Sequence, residues 1–129
     1  MKKAIIMEKY PVYSLEIQKD ETKFTNVDEI VEYLKTLIDA HKIAIFISVF
    51  DQYTHTKNIG GEINEKLLDA KNLIFCFGKA IPNSKILAAR PRSFGVCETQ
   101  NSFLIDFLEP PREEMTEVMQ KWAKSIANI

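Results

Sequence analysis

A histidine and the residues just before it form the first group that could do chemistry. His55 follows an apolar run, with Asp51 and Tyr53 close before it. An imidazole held at the end of a strand could bind a ligand, and the neighbouring phenol and carboxylate could orient its ring. The alternative is a surface histidine in a polar loop. No His-x-x-x-His or Cys-x-x-Cys spacing occurs, so we expect no metal and no bound cofactor.

Two arginines form the second group. Arg90 and Arg92 flank a proline directly after a predicted short helix. Two guanidinium groups on a rigid segment could hold a carboxylate or a phosphate through paired hydrogen bonds. Alternatively, both could be solvated side chains that pair with local acids or with the end of the helix.

The two cysteines form the third group. Cys76 lies between two phenylalanines of an apolar run, which predicts a buried and inert thiol. Cys97 lies in a predicted hairpin, where a thiol could be exposed. A nucleophilic thiol needs a base or a lowered pKa, and His55 could supply the base if the fold brings it close. We assign no catalytic residue, and we expect no disulfide because the chain is predicted to be cytoplasmic.

Composition limits the function classes. The sequence has 129 residues and predicts a single globular domain over 1–129. Its net charge of -1 provides no field to attract nucleic acid or an anionic membrane. The start, MKKAIIMEKY, lacks the long apolar segment and the cleavage pattern of a signal peptide. We therefore predict a cytoplasmic protein that binds neither nucleic acid nor membranes.

Hydrophobic periodicity predicts the elements that must position these groups. Alternation indicates a strand over 13–17, and the 3.6-residue period predicts helices over 27–40 and after Pro111. The apolar runs 43–50 and 73–77 predict buried strands, the second of them central. A short helix is expected over 84–89 and a hairpin over 94–108, with Asn101 tolerating positive φ in its turn. The segment between the two apolar runs is expected to be a loop or a short helix.

These elements together predict an α+β fold. We expect two layers, a mainly antiparallel sheet of about five strands with two long amphipathic helices on one face. In the second hairpin strand, Phe103, Ile105 and Phe107 should share one face. The Met115, Met119 and Trp122 stripe should be core, with a dimer surface as its alternative.

Short motifs from His55 onward follow an order found in a known family. They are His55, Ile59-Gly60, Leu73-Ile74-Phe75, Phe77-Gly78, Pro82, Leu87, Pro91 and Glu109-Pro110. This pattern resembles the bacterial family named domain of unknown function 302. The resemblance implies a small α+β fold that often self-associates. That family has no established activity, so the resemblance carries no catalytic residue over.

Three functions remain open from the sequence. The leading hypothesis is a domain that binds a small ligand, with an anion as one version, or that self-associates as a homodimer. The ligand-binding residues would be His55, Tyr53, Arg90, Arg92 and Cys97. One alternative is an enzyme or redox protein that uses a thiol and an imidazole. The other is a protein-interaction module whose exposed hairpin recruits a partner by strand addition.

Overall fold

The computed structural model describes residues 1–127. These residues form six strands and three α-helices. They are β1 (Lys2–Ile6), β2 (Tyr10–Gln18), α1 (Val27–Ala40), β3 (Ile45–Phe50), α2 (Gln52–Asn58), β4 (Asp69–Cys76), β5 (Arg92–Glu98), β6 (Ser102–Leu108) and α3 (Glu113–Ser125). Two short 3-10 helices lie at Lys19–Glu21 and Ser84–Ala89. Within residues 1–127, every helix is too short or too polar to cross a lipid bilayer.

The strands form one antiparallel sheet in the order β1-β2-β6-β5-β4-β3. The α+β class and the antiparallel sheet are therefore confirmed. β5 and β6 form the predicted hairpin and lie inside the sheet, paired to β4 and β2 on their outer sides. β1 and β3 are the edges.

One face of the sheet, the covered face, packs against α1 and α3. Phe103, Ile105 and Phe107 all point to this side, as their alternation predicted. The core also contains helix residues at the spacing of a buried stripe. The buried apolar residues of the sheet and helices include Leu73, Phe75, Phe77, Phe94, Val96, Val27, Ile30, Leu34, Ile38, Met119 and Trp122. The helix boundary at Val27 is set by Asn26, whose side chain accepts a hydrogen bond from the Glu29 backbone N–H at 2.8 Å.

The opposite side, the open face, carries small and polar groups from four neighbouring strands. Ser14, Asp106, Gly95 and Asn72 form one row across β2, β6, β5 and β4. The side chains of this row are half-buried. This row is therefore more polar than the buried core on the covered face.

Several predicted details were wrong. The apolar run 43–50 forms an edge strand with mostly exposed side chains, because β-branched and aromatic content favours a strand without fixing its place in a sheet. Its neighbour β4, predicted as the central strand, is second from that edge.

The count of about five strands missed β1, which pairs with β2 through a turn at Met7 and Glu8. These two residues have φ of 50° and 62°, a strained conformation without glycine that the sequence does not signal. The turn at Asn101, in contrast, contains no residue with positive φ. The segment 51–58, left open as a loop or short helix, forms α2.

Candidate functional site

The candidate site is built around Arg92, the first residue of β5. Alternation along β5 places its side chain on the covered face, in line with Phe94 and Val96, and it pairs with Phe75 of β4. An arginine in this register is carried into the core by the strand itself. Arg92 is only 8% exposed.

The guanidinium of Arg92 contacts backbone carbonyls. One Nη donates to the carbonyl oxygen of Ala89 at 3.1 Å, and the other donates to the carbonyl oxygen of Leu108. Nε is buried and has no hydrogen-bond partner among the described residues. Arg92 also forms no ion pair with a carboxylate of residues 1–127.

The electrostatics of Arg92 follow from this burial. Removal from water disfavours the charged form and lowers the pKa of Arg92 below its usual value. An arginine nevertheless stays protonated at every ordinary pH. Arg92 is therefore a permanent buried positive charge without a negative partner in the described chain.

A small cavity adjoins this charge and is named the arginine pocket here. Arg90, Arg92 and Arg112 line it together with Phe77, Ile86 and Met115. Its volume is about 30 Å³, which is roughly the room of two water molecules. Three arginines therefore lie beside apolar side chains at this cavity, and a low local dielectric strengthens the attraction of a guanidinium for negative charge.

Arg90 and Arg112 reach the pocket from different elements. Arg90 follows the second 3-10 helix, and its Nη1 donates to the carbonyl oxygen of Ala80 at 2.7 Å. Its guanidinium lies against Gly78, in the space that a side chain there would occupy. Arg112 is the N-cap of α3, with a side chain 69% exposed and a loose contact of 3.6 Å to Glu114.

The structure thus brings together the two predicted arginines and adds a third. Arg112 was not among the predicted site residues, because it follows two prolines in an ordinary helix start. The only signal was that the Pro110-Pro111 break must place a helix N-terminus beside the end of β6.

His55 and Tyr53 lie elsewhere, on α2. His55 is exposed, and its ring centroid lies 5.4 Å from that of Phe50. Tyr53 is half-buried. Neither residue lines the arginine pocket. Asp51, a candidate for orienting the imidazole, instead caps α2 by accepting a hydrogen bond from the Thr54 backbone N–H at 2.9 Å.

The two cysteines are free thiols at separate places. Cys97 lies on the open face, opposite Leu104. Burial, with smaller contributions from the charges of Asp106 and Asp69, raises the pKa of Cys97 above its usual value. A raised pKa disfavours the thiolate, and within the described chain neither cysteine is hydrogen-bonded to His55.

The other kind of site considered is a metal-binding cluster. In residues 1–127, no three His, Cys, Asp or Glu side chains are placed to hold a metal ion. The arginine pocket is therefore the arrangement in which buried charge, unused hydrogen-bonding capacity and a cavity coincide.

Comparison with known proteins places the chain in a family. The profile of a family of unknown function (DUF6858) matches residues 1–128. The chain belongs to this family. No curated protein matches the sequence. Since the DUF6858 match covers almost the whole chain, it includes all three arginines of the pocket. The resemblance to domain of unknown function 302 stays a prediction beside it.

Proposed function

We propose that the protein binds a small anionic ligand in the arginine pocket. The observation that carries this proposal is the guanidinium of Arg92, which is buried beside a cavity with Nε unpaired and with no carboxylate in contact. We also propose that the protein is cytoplasmic and that it forms a homodimer.

Energetics support the proposal. Burying a charge costs free energy unless an opposite charge or hydrogen bonds compensate for the lost water. In Arg92, two carbonyl oxygens provide part of this compensation, while the Nε–H remains without an acceptor. An anion in the pocket would neutralise the charge of the guanidinium. Arg90 and Arg112 would add further attraction from the rim.

The proposal changes the predicted set of ligand-binding residues. It retains Arg90 and Arg92 and adds Arg112. It leaves out His55, Tyr53 and Cys97, none of which lines this pocket. The protein acts in this proposal as a binder without chemistry of its own, because the pocket presents cations and apolar walls but no base or nucleophile.

Calorimetric titration with acetate tests the proposal. The wild-type protein and Arg92→Gln are titrated at constant chloride and constant ionic strength. We expect saturable binding at one site per chain in the wild type and none in Arg92→Gln. Equal binding by both proteins, or no binding by a folded wild type, would overturn the proposal. Because Arg92→Gln changes a buried residue, circular dichroism must first show that it folds, and the exposed Arg112→Gln provides a second variant that leaves the core intact.

The exposed edge strand favours a second candidate, an interaction module. Both strands of the hairpin are already paired on each side, so strand addition would use β3 instead. Ile45, Ile47 and Phe50 of β3 are 63%, 50% and 40% exposed. Unpaired edge strands with apolar side chains readily accept another strand. The test is molar mass by light scattering, where Ile47→Lys should abolish any dimer of the wild-type chain.

A further inference from the structure

We infer that the ligand is a monocarboxylate with a single apolar chain, whose carboxylate occupies the arginine pocket and whose chain lies in an adjoining groove. The inference rests on the proposed anion site. It adds the chemical class of the ligand and the path of its apolar part.

The size of the pocket points to a small head group. About 30 Å³ accommodates a carboxylate but not a larger molecule, so the rest of any organic anion must lie outside it. The hydrogen-bond donors of Arg92 also favour a carboxylate head group. The Nη hydrogens of Arg92 that the Ala89 and Leu108 carbonyl oxygens leave unused can donate to the oxygens of one carboxylate.

An apolar groove lies next to the pocket and would hold the apolar chain of the ligand. Ile47, Ala80, Ile81 and Leu87 line it, with Lys79 and Arg90 as its cations. Its volume is about 600 Å³. Ile81 and Leu87 are 69% and 53% exposed, an unusual cost for two large apolar side chains that share one depression. A bound alkyl chain would cover both.

The two cavities adjoin each other. Gly78 and Arg90 form part of the walls of both, so the Arg90 side chain separates the pocket from the groove. A Cβ at position 78 would overlap the guanidinium of Arg90, which explains why glycine suits this position. Arg90 is anchored by its hydrogen bond to the Ala80 carbonyl oxygen. When that bond opens, the side chain can swing aside and let an alkyl chain pass from groove to pocket.

A homologous series of ligands tests the inference on the full chain. Acetate, butyrate, hexanoate and octanoate are titrated below their aggregation concentrations, with octanol as the uncharged counterpart. We expect affinity to rise about two- to fourfold for each added methylene, as for partial to full burial of that group. Octanol should bind at least tenfold more weakly than octanoate.

Two surface variants test where the alkyl chain of the ligand lies. Ile81→Ser removes an apolar side chain from the groove, and Ile59→Ser is its control outside the groove with the same 69% exposure. We expect Ile81→Ser to weaken octanoate binding about threefold or more and to leave acetate binding unchanged. Ile59→Ser should change neither.

The outcomes separate the two proposals. If acetate and octanoate bind with equal affinity and both need Arg92, the proposed anion site is supported. The proposal that the ligand carries an apolar chain is then overturned. If octanol binds as tightly as octanoate, or if Arg92→Gln binds both carboxylates normally, the anion site itself is overturned. If Ile59→Ser weakens octanoate as much as Ile81→Ser does, the groove is not where the chain lies.

Discussion

Lys71 and Arg92 both lie on the covered face of the sheet and show two ways to bury a positive charge. Lys71, in β4, is paired with Asp28 of α1, and Asp69 lies 3.9 Å away. Its side chain is 16% exposed. Arg92, in β5 at the opposite end of the same face, is 8% exposed and contacts only carbonyl oxygens among the described residues.

The pKa shifts of the two cations run in opposite directions. The hydrogen bond to Asp28 is the main cause that raises the pKa of Lys71, whereas desolvation lowers the pKa of Arg92. The fold therefore provides a carboxylate for one cation and a cavity beside the other. From this difference we propose that Lys71 serves the fold and that Arg92 binds a ligand.

The open face provides a third case, a carboxylate without a cation. Asp106 is half-buried and accepts a hydrogen bond from Ser14. Burial raises its pKa, and the Ser14 bond opposes the shift. A carboxyl group can relieve such burial by taking up a proton, but a guanidinium cannot lose one at ordinary pH. A buried guanidinium is compensated instead by hydrogen-bond acceptors or by an anion.

The largest expected effect is the loss of ligand-dependent stability in Arg92→Met. At a concentration of octanoate 100 times its dissociation constant, the wild type should gain about 2.7 kcal/mol of unfolding free energy. Arg92→Met should gain none, because the buried charge that the carboxylate neutralises is gone. Denaturant unfolding with and without octanoate measures this. Lys71→Met is the matched control and should keep the full gain. If octanoate still stabilises Arg92→Met, the ligand does not depend on Arg92, and Arg92 does not differ from Lys71 in this respect.

Arg112→Gln should have the next largest effect. The variant removes a charge at the pocket rim, and a charge-assisted contact at an exposed position contributes roughly 1 kcal/mol, or about fivefold in affinity. Calorimetry with octanoate measures the loss. Lys121→Gln, an exposed change of the same charge on the same helix, should leave the affinity unaltered. Equal losses in both variants would indicate a general charge effect rather than a contact at the pocket.

Lys71 should affect stability only through its ion pair, and by a smaller amount. Asp28 has a side chain 70% exposed, so the pair contributes roughly 0.5 kcal/mol. Since the folded-state pKa of Lys71 is raised, its contribution is complete below the unfolded value and disappears as the pH rises through the folded value. The difference in stability between wild type and Lys71→Met should therefore begin to shrink above roughly pH 10.4 and vanish only above the raised folded-state pKa. A difference that persists at higher pH would mean that packing, not charge, stabilises Lys71.

The smallest effect is expected for Asp106→Asn. Because the folded pKa of Asp106 is raised, the wild type loses stability as the pH increases from the ordinary carboxyl range through the raised value. Asn removes this loss and can still accept the Ser14 hydrogen bond. We expect a slightly higher melting temperature than wild type at pH 7 and no difference at acidic pH below the ordinary carboxyl range. A lower melting temperature at pH 7 would show that the charge of Asp106 is needed.

Much of the fold follows from local signals in the sequence. The Asn26 cap and the apolar period fixed α1 at the predicted residues, and alternation identified β6 and its buried face. The 3-10 helix Ser84–Ala89 also lies where it was predicted as a short helix. Such elements are recognisable because capping and periodicity depend on neighbours within a few residues.

The candidate site depends on contacts between distant parts of the chain and was only partly predictable. Arg92 enters the core because β5 pairs in a register that sets it opposite Phe75. Arg112 joins it because α3 starts beside the end of β6, which no local pattern specifies. The place of β3 in the sheet was mispredicted for the same reason. Its apolar run is equally consistent with a central strand and with an edge strand.

The proposed contact between an anion and the Arg92 guanidinium can be observed through the Nε–H of that side chain. In a nitrogen-15 labelled sample, the Arg92 Nε–H resonance is assigned by its absence from Arg92→Gln and followed during titration with octanoate. We expect a large, saturable proton shift at the Arg92 Nε–H, because a carboxylate bound to the guanidinium changes the environment of this buried donor. An Nε–H resonance that stays unchanged while octanoate binds would show that the carboxylate lies elsewhere.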